Sequence, residues 1–168
     1  MNKHARNIAY GALIAAMYAA LTHLQNLLLP GSATWAIQFR LSEALCILAF
    51  FTPVAIPGLG VGCFLFNLTY GAALPLDALL GTLATLLACG GMFLSRRIVF
   101  RGIPVLGLFL PALFNSLLVG WELTVYIGGS FLLNALYVAI GELAVLFTLG
   151  LFLYSAIKKR GLDRRLFG

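Results

Sequence analysis

Charge is what this 168-residue sequence has least of: five acids and eleven Lys and Arg make up only 10% of the chain. With 62% hydrophobic residues and a mean hydropathy of +1.02, too little polar surface remains to coat a soluble globule, so the fold must have lipid as its solvent. Catalytic apparatus is lacking too. The chain has no phosphate loop ending in Gly-Lys-Ser/Thr, no His-Glu-x-x-His pair and no Gly-x-Ser-x-Gly elbow. This argues against an enzyme and leaves any nucleotide hydrolysis to another subunit. The two histidines, His4 and His23, stand apart from each other and from the carboxylates, so neither a metal centre nor a cofactor is expected. Cys46, Cys63 and Cys89 are odd in number, lie inside apolar runs, and read as small core residues.

What is present is a series of apolar runs. A hydrocarbon core of about 30 Å takes about 20 apolar residues per helix, which gives this chain room for roughly six spans. Pro, Gly and charges bound them at 8–28, 37–51, 54–74, 78–94, 103–121 and 130–157. The expectation is an all-α integral membrane bundle of six transmembrane helices, a single domain over 1–168. The second run is the shortest, because Arg40 and Glu43 interrupt its start and Pro53 closes it. It still reads as a span, since Pro53 and Pro57 force a tight reversal between two apolar runs. The first run is too long, and too free of a cleavage site, for a signal peptide.

Orientation follows from the basic residues. Lys3 and Arg6 precede the first span, Arg96, Arg97 and Arg101 follow the fourth, and Lys158, Lys159, Arg160, Arg164 and Arg165 follow the sixth. Six spans put all ten on one side, which the positive-inside rule makes cytoplasmic, together with both termini. The pI near 9.6 thus reports topology and anionic lipid, not nucleic acid. Arg40 is the exception, on the outer side just inside the second span.

Glu43, Asp77 and Glu122 fall near the outer ends of their helices, and Glu142 lies mid-helix in the sixth. An ionised side chain facing lipid costs at least about 2.5–3.5 kcal/mol, so these four should face the bundle interior or water. The plainer alternatives are that Asp77 caps its helix and that Glu122 sits in interfacial water. Arg40 and Glu43, three apart, either pair with each other or offer a carboxylate and a cation to a ligand. Asn67, Asn115 and Asn134 interrupt apolar runs; each is a ligand contact or a hydrogen bond between helices. Taken from Asn134, Tyr137 lies about 300° and Glu142 about 80° around the helix, so the three could border one cavity. Trp35 and Trp121 flank spans on the outer side, as interface residues or as stacking partners for a planar ligand. Asn67-Leu68-Thr69 matches a glycosylation pattern by accident, given its place in a span.

Ala5, Ala9, Ala12, Ala16 and Ala19 form a stripe roughly 80° wide on the first helix. Such a stripe permits close helix approach, either inside the bundle or as a docking face for another subunit; Gly58 and Gly62 carry the same two readings.

The stretches Ile37-Gln38-Phe39-Arg40-Leu41-Ser42-Glu43-Ala44-Leu45-Cys46, Pro53-Val54-Ala55-Ile56-Pro57-Gly58-Leu59, Gly62-Cys63-Phe64-Leu65-Phe66-Asn67, Asp77, Gly81-Thr82-Leu83-Ala84-Thr85-Leu86 and Gly141-Glu142 resemble the QueT family over nearly the whole chain. The resemblance implies a substrate-binding S component of an energy-coupling factor (ECF) importer in the bacterial cytoplasmic membrane. Its ligands would be queuosine precursors, 7-deazaguanine bases or queuine, and its partners a transmembrane coupling protein and two cytoplasmic ATPases. The ligand would bind near the outer face beneath the loop 30–36, against a set drawn from Arg40, Glu43, Asn67, Asp77, Asn115, Trp121, Glu122, Asn134, Tyr137 and Glu142, with Glu43 or Glu142 taking the ring N–H and exocyclic amine. Docking would use Ala9, Ala12, Ala16 and Ala19, followed by toppling in the membrane. Thiamine or biotin is the alternative cargo, and an integral-membrane enzyme the more distant reading.

Overall fold

The first apolar run folds as one helix, α1 (Lys3–Leu28), opened by the Asn2 side chain, which accepts the His4 N–H at 3.3 Å. Pro30 and Gly31 (φ 83°) follow its end. At about 1.5 Å per residue it reaches roughly 39 Å, more than a hydrocarbon core. The computed structural model describes residues 2–32, 38–71 and 73–163, so Trp35, most of the loop 30–36, Arg164 and Arg165 lie outside the described residues.

The second run departs from expectation. In place of a span over 37–51 there is an extended segment, 38–40, and then a 3-10 helix, Leu41–Phe50. Ten residues at about 2.0 Å each give roughly 20 Å, too short to cross a membrane core unaided. Its surroundings explain how it can be apolar yet irregular. Eight of its ten residues are buried, and it touches each of the other helices. It is a central strut whose solvent is protein, the one place where non-α backbone is tolerated at membrane depth. With three residues per turn, side chains three apart eclipse, which stacks Glu43, Cys46 and Ala49 along one edge with Arg40 at its head.

After Pro53 the chain turns into α2 (Ala55–Thr69), shorter than the expected 54–74. It runs parallel to α1 at very close range. A Cβ on Gly58 would stand 2.8 Å from the Gly11 carbonyl oxygen, and one on Gly62 2.7 Å from that of Ala15. These two glycines therefore serve packing inside the bundle, one of the two readings open from sequence. α3 (Asp77–Ser95) returns antiparallel. A hairpin turn through Arg101 (φ 51°) and Gly102 (φ 81°) leads to α4 (Val105–Tyr126). Gly128 and Gly129, both at positive φ, reverse the chain into α5 (Phe131–Val145). α5 continues through a π-turn, Leu146–Gly150, into α6 (Leu151–Lys159), so that Phe131–Lys159 forms one 29-residue rod.

Among the described residues the fold is all helical. Four helices, α1, α3, α4 and the rod, are long and apolar enough to cross a membrane, while the 3-10 helix and α2 are shorter apolar segments. The strut runs antiparallel to α1 and parallel to the rod, and it divides the interior along its length. Toward its C-terminal end it meets an apolar core that includes Ile47, Phe50, Leu59, Met92, Leu108 and Tyr154. Its N-terminal end meets polar side chains. The termini of α1 and the rod and the α3–α4 hairpin, with the basic residues Lys3, Arg6, Arg96, Arg97, Arg101, Lys158 and Lys159, lie at the apolar end.

Candidate functional site

Three hydrogen bonds from the last turns of α1 fix the entry to the strut. The Gln25 amide nitrogen donates to the Phe39 carbonyl and to Ser32 Oγ (2.9 Å), and Gln25 Oε1 accepts the Leu41 N–H (2.8 Å). One turn earlier, the Thr22 hydroxyl donates to the Tyr18 carbonyl (2.8 Å) and meets Ser42 Oγ at 2.7 Å. One turn earlier again, the Tyr18 hydroxyl donates to Glu43 Oε1. On its other side the extended segment crosses α5 at Gly141, where any Cβ would run into the Gln38 backbone. Glycine is the only residue that allows this crossing, and the crossing delivers Arg40 to the neighbourhood of Glu142.

Arg40 is the hub. Its guanidinium is buried, lies 3.9 Å from Cys63 Sγ, and faces Glu43 and Glu142. It sits over Gly81 beside the Asn67 amide, whose Nδ2 donates to the Asp77 carbonyl at 3.0 Å. Asp77 is the first residue of α3 rather than its N-cap, which is Leu76 without a side-chain bond. The Asp77 carboxylate instead turns back and accepts the Leu74 N–H at 2.6 Å. Leu74 in turn packs on Val119, Leu123 and Val138, which brings the Asp77 carboxyl beside Glu122.

Of the expected ligand contacts, the fold brings Arg40, Glu43, Asn67, Asp77, Glu122 and Glu142 into one buried polar half, and Asn115 lies buried two turns before Glu122 on the same face of α4. It does not bring the other three there. Trp121 and Tyr137 are exposed by 48% and 38%. Asn134 bonds Thr124 Oγ1 and the Gly128 carbonyl, both at 3.0 Å, which makes it a tie across the α4–α5 turn. Geometry explains the separation: Tyr137 is five residues before Glu142 and so about 140° around the helix from it, and Trp121 is about 100° from Glu122. Tyr18, Thr22, Gln25, Ser42 and Cys46 hold the strut through the polar half and are not among the residues expected from sequence. Tyr18, Thr22 and Gln25 repeat at steps of four and three in an apolar run, a polar stripe about 60° wide that was open to reading.

Hydrogen-bond accounting defines what the site can do. Glu43 is fully engaged, by Tyr18 and by the Cys46 thiol at 3.0 Å. By contrast Asn67 Oδ1, both Glu122 oxygens and Glu142 Oε2 are buried without a hydrogen-bond partner, as is Asn115 Nδ2. These four acceptors and one donor come from α2, α4 and α5. Buried polar atoms are normally paired, at a cost of about 1–3 kcal/mol each when they are not, so a set this acceptor-rich suits a small ligand dominated by N–H donors.

On the outside of the bundle, Ala9, Ala12 and Ala16 are exposed and Ala19 is half-exposed. Of these, Ala12 lines an apolar groove of about 420 Å³ between α1 and α2, together with residues including Gly11, Ala15, Val54 and Pro57. The closest approach of α1 to α2 is made by Gly11 and Ala15 against Gly58 and Gly62.

Neither a curated protein nor a solved structure matches the chain. A polar half enclosed by apolar helices, with unpaired acceptors and a smooth alanine face, is the anatomy of a membrane carrier, and the match of the QueT transporter model to residues 8–159 shows that the chain belongs to that family.

Proposed function

We propose that this transporter-family chain is the S component of an ECF-type importer, a single six-span domain over residues 1–168 with both termini in the cytoplasm of a bacterium. It captures queuosine precursors, 7-deazaguanine bases or queuine, from the outer side. The strut counts as the second crossing, shielded by the other helices, and the basic residues gathered at the apolar end fit the cytoplasmic side. The observation that carries the reading is the set of unpaired buried acceptors at Asn67, Glu122 and Glu142 around a single guanidinium, Arg40. A deazaguanine presents a ring N–H and an exocyclic amine on one edge and a carbonyl beside them, which matches several acceptors and one cation.

The loaded protein then meets a coupling protein with two cytoplasmic ATPases, through the exposed face of Ala9, Ala12, Ala16 and Ala19, and topples to release its cargo. An alanine face lets another helix approach closely, which in a membrane is a principal source of association.

Mass spectrometry of ligand released from the purified protein tests the substrate. A deazapurine in stoichiometric amount supports the proposal. Thiamine, biotin or another vitamin in its place overturns the substrate while keeping the transporter class.

A further inference from the structure

The four carboxyls of the polar half are not equivalent. Glu43 has both oxygens committed, one to the Tyr18 hydroxyl and one to the Cys46 thiol at 3.0 Å, and it is wholly buried. Its bonds join the strut to α1 and to the next turn of the strut itself. Glu142 stands by Arg40 and Glu43, with Oε2 alone buried without a hydrogen-bond partner. Glu122 also lies within the field of Arg40, but its nearest charged neighbour is the Asp77 carboxyl. Glu122 is 0% exposed, and both of its oxygens lack a partner.

Asp77 stands next to it, held by its bond from the Leu74 N–H (2.6 Å) and by the seat of Leu74 among Val119, Leu123 and Val138. Asn67, anchored to the Asp77 carbonyl through Nδ2, adds Oδ1 as a third buried acceptor without a partner. Two carboxyls held together out of water repel unless they share a proton or donors or a cation lie against them. A planar edge with two parallel N–H groups satisfies such acceptors in pairs, as guanidinium groups do with carboxylates.

We infer that Glu122, positioned beside Asp77, is the carboxylate that reads the donor edge of the ligand, and that Glu43 is a strut that does not touch it. This rests on the deazapurine reading above and assigns its recognition to the carboxyl pair between α3 and α4, in place of Glu43 or Glu142.

The test is titration calorimetry on the full chain in nanodiscs with two probes, 7-deazaguanine and 7-deazahypoxanthine, which lacks the exocyclic amine. The wild-type chain should prefer 7-deazaguanine. Glu122→Gln should weaken 7-deazaguanine about 10- to 100-fold and erase the preference, as expected when one of a pair of buried acceptor oxygens becomes an N–H donor that faces the ligand's own donors. Glu43→Gln should keep the preference. If Glu122→Gln does not fold, Glu122→Asp decides, since it keeps the charge, withdraws it by one methylene and should also lose the preference. Wild-type preference retained in the Glu122 variant, or lost in Glu43→Gln, overturns the assignment. A wild-type chain that binds both probes equally overturns the donor-edge inference alone, whereas one that binds neither overturns the deazapurine reading and the assignment with it.

Discussion

Replacing Tyr18 by Phe tests whether Glu43 holds the strut in place. The ring is wholly buried, and Phe keeps its shape, so the variant leaves no cavity and removes only the hydroxyl that donates to Glu43 Oε1. A buried oxygen that can carry charge is then left without its donor, at a cost of about 1.5–3 kcal/mol. For a chain of this size that is a fall in the thermal midpoint of roughly 3–12 °C. Intrinsic-fluorescence melting of the detergent-solubilised protein reads it directly. A double-mutant cycle with Glu43→Leu, which has no acceptor for the hydroxyl, isolates the pair: if the two residues act through one bond, the double variant is less destabilised than the sum of the singles by at least about 1 kcal/mol. A Tyr18→Phe protein that melts with the wild type, or additive singles, would refute the idea that this bond ties the strut to α1.

Gly141→Ala places a methyl against the Gln38 backbone, which must lift the extended segment off α5 and carry Arg40 with it. Overpacking of this kind costs about 1–3 kcal/mol, and ligand affinity measured by titration should fall with stability; unchanged affinity would mean that the crossing does not position Arg40. On the outer face, Ala12→Leu and Ala16→Leu should leave the melting midpoint and ligand binding at wild-type values, since both residues are exposed. Uptake in vesicles with coupling subunits should be lost. Gly62→Leu, whose Cβ would stand 2.7 Å from the Ala15 carbonyl, should instead unfold the protein, and undiminished uptake by the alanine variants would leave the stripe facing lipid only.

The long helices were legible because lipid-facing and core-facing residues are both apolar, so hydropathy sums over the whole run; α3, α4 and the rod fall within a few residues of their expected bounds. The same property hid the strut. Leu41–Phe50 is as apolar as a span, yet its apolar residues meet protein on all sides, and no hydropathy window separates the two environments. The carboxyls were legible individually, through the cost of exposing charge to lipid, but their division of labour was not. Which of Glu43, Glu122 and Glu142 is spent on the fold depends on Tyr18 and Cys46, one on another helix and one a single 3-10 turn away. Asn134 shows the limit of helical angles. Its arc pointed inward with Glu142, but the glycine pair Gly128 and Gly129 folds the turn back within reach of its amide.

The two faces of α1 connect these observations. Tyr18, Thr22 and Gln25 grip the strut at Glu43, Ser42 and Leu41, while Ala9, Ala12 and Ala16, roughly on the other side of the same helix, stay exposed. A helix is stiff along its axis, so on the proposed function a displacement of the extended segment by a ligand at Arg40 would have few places to go. Gly141 blocks movement toward α5, because that backbone is already in contact. Movement on the other side must push or pull on Gln25, and hence on α1. The smooth face is thus carried by the same helix that is hydrogen-bonded to the strut at three successive turns.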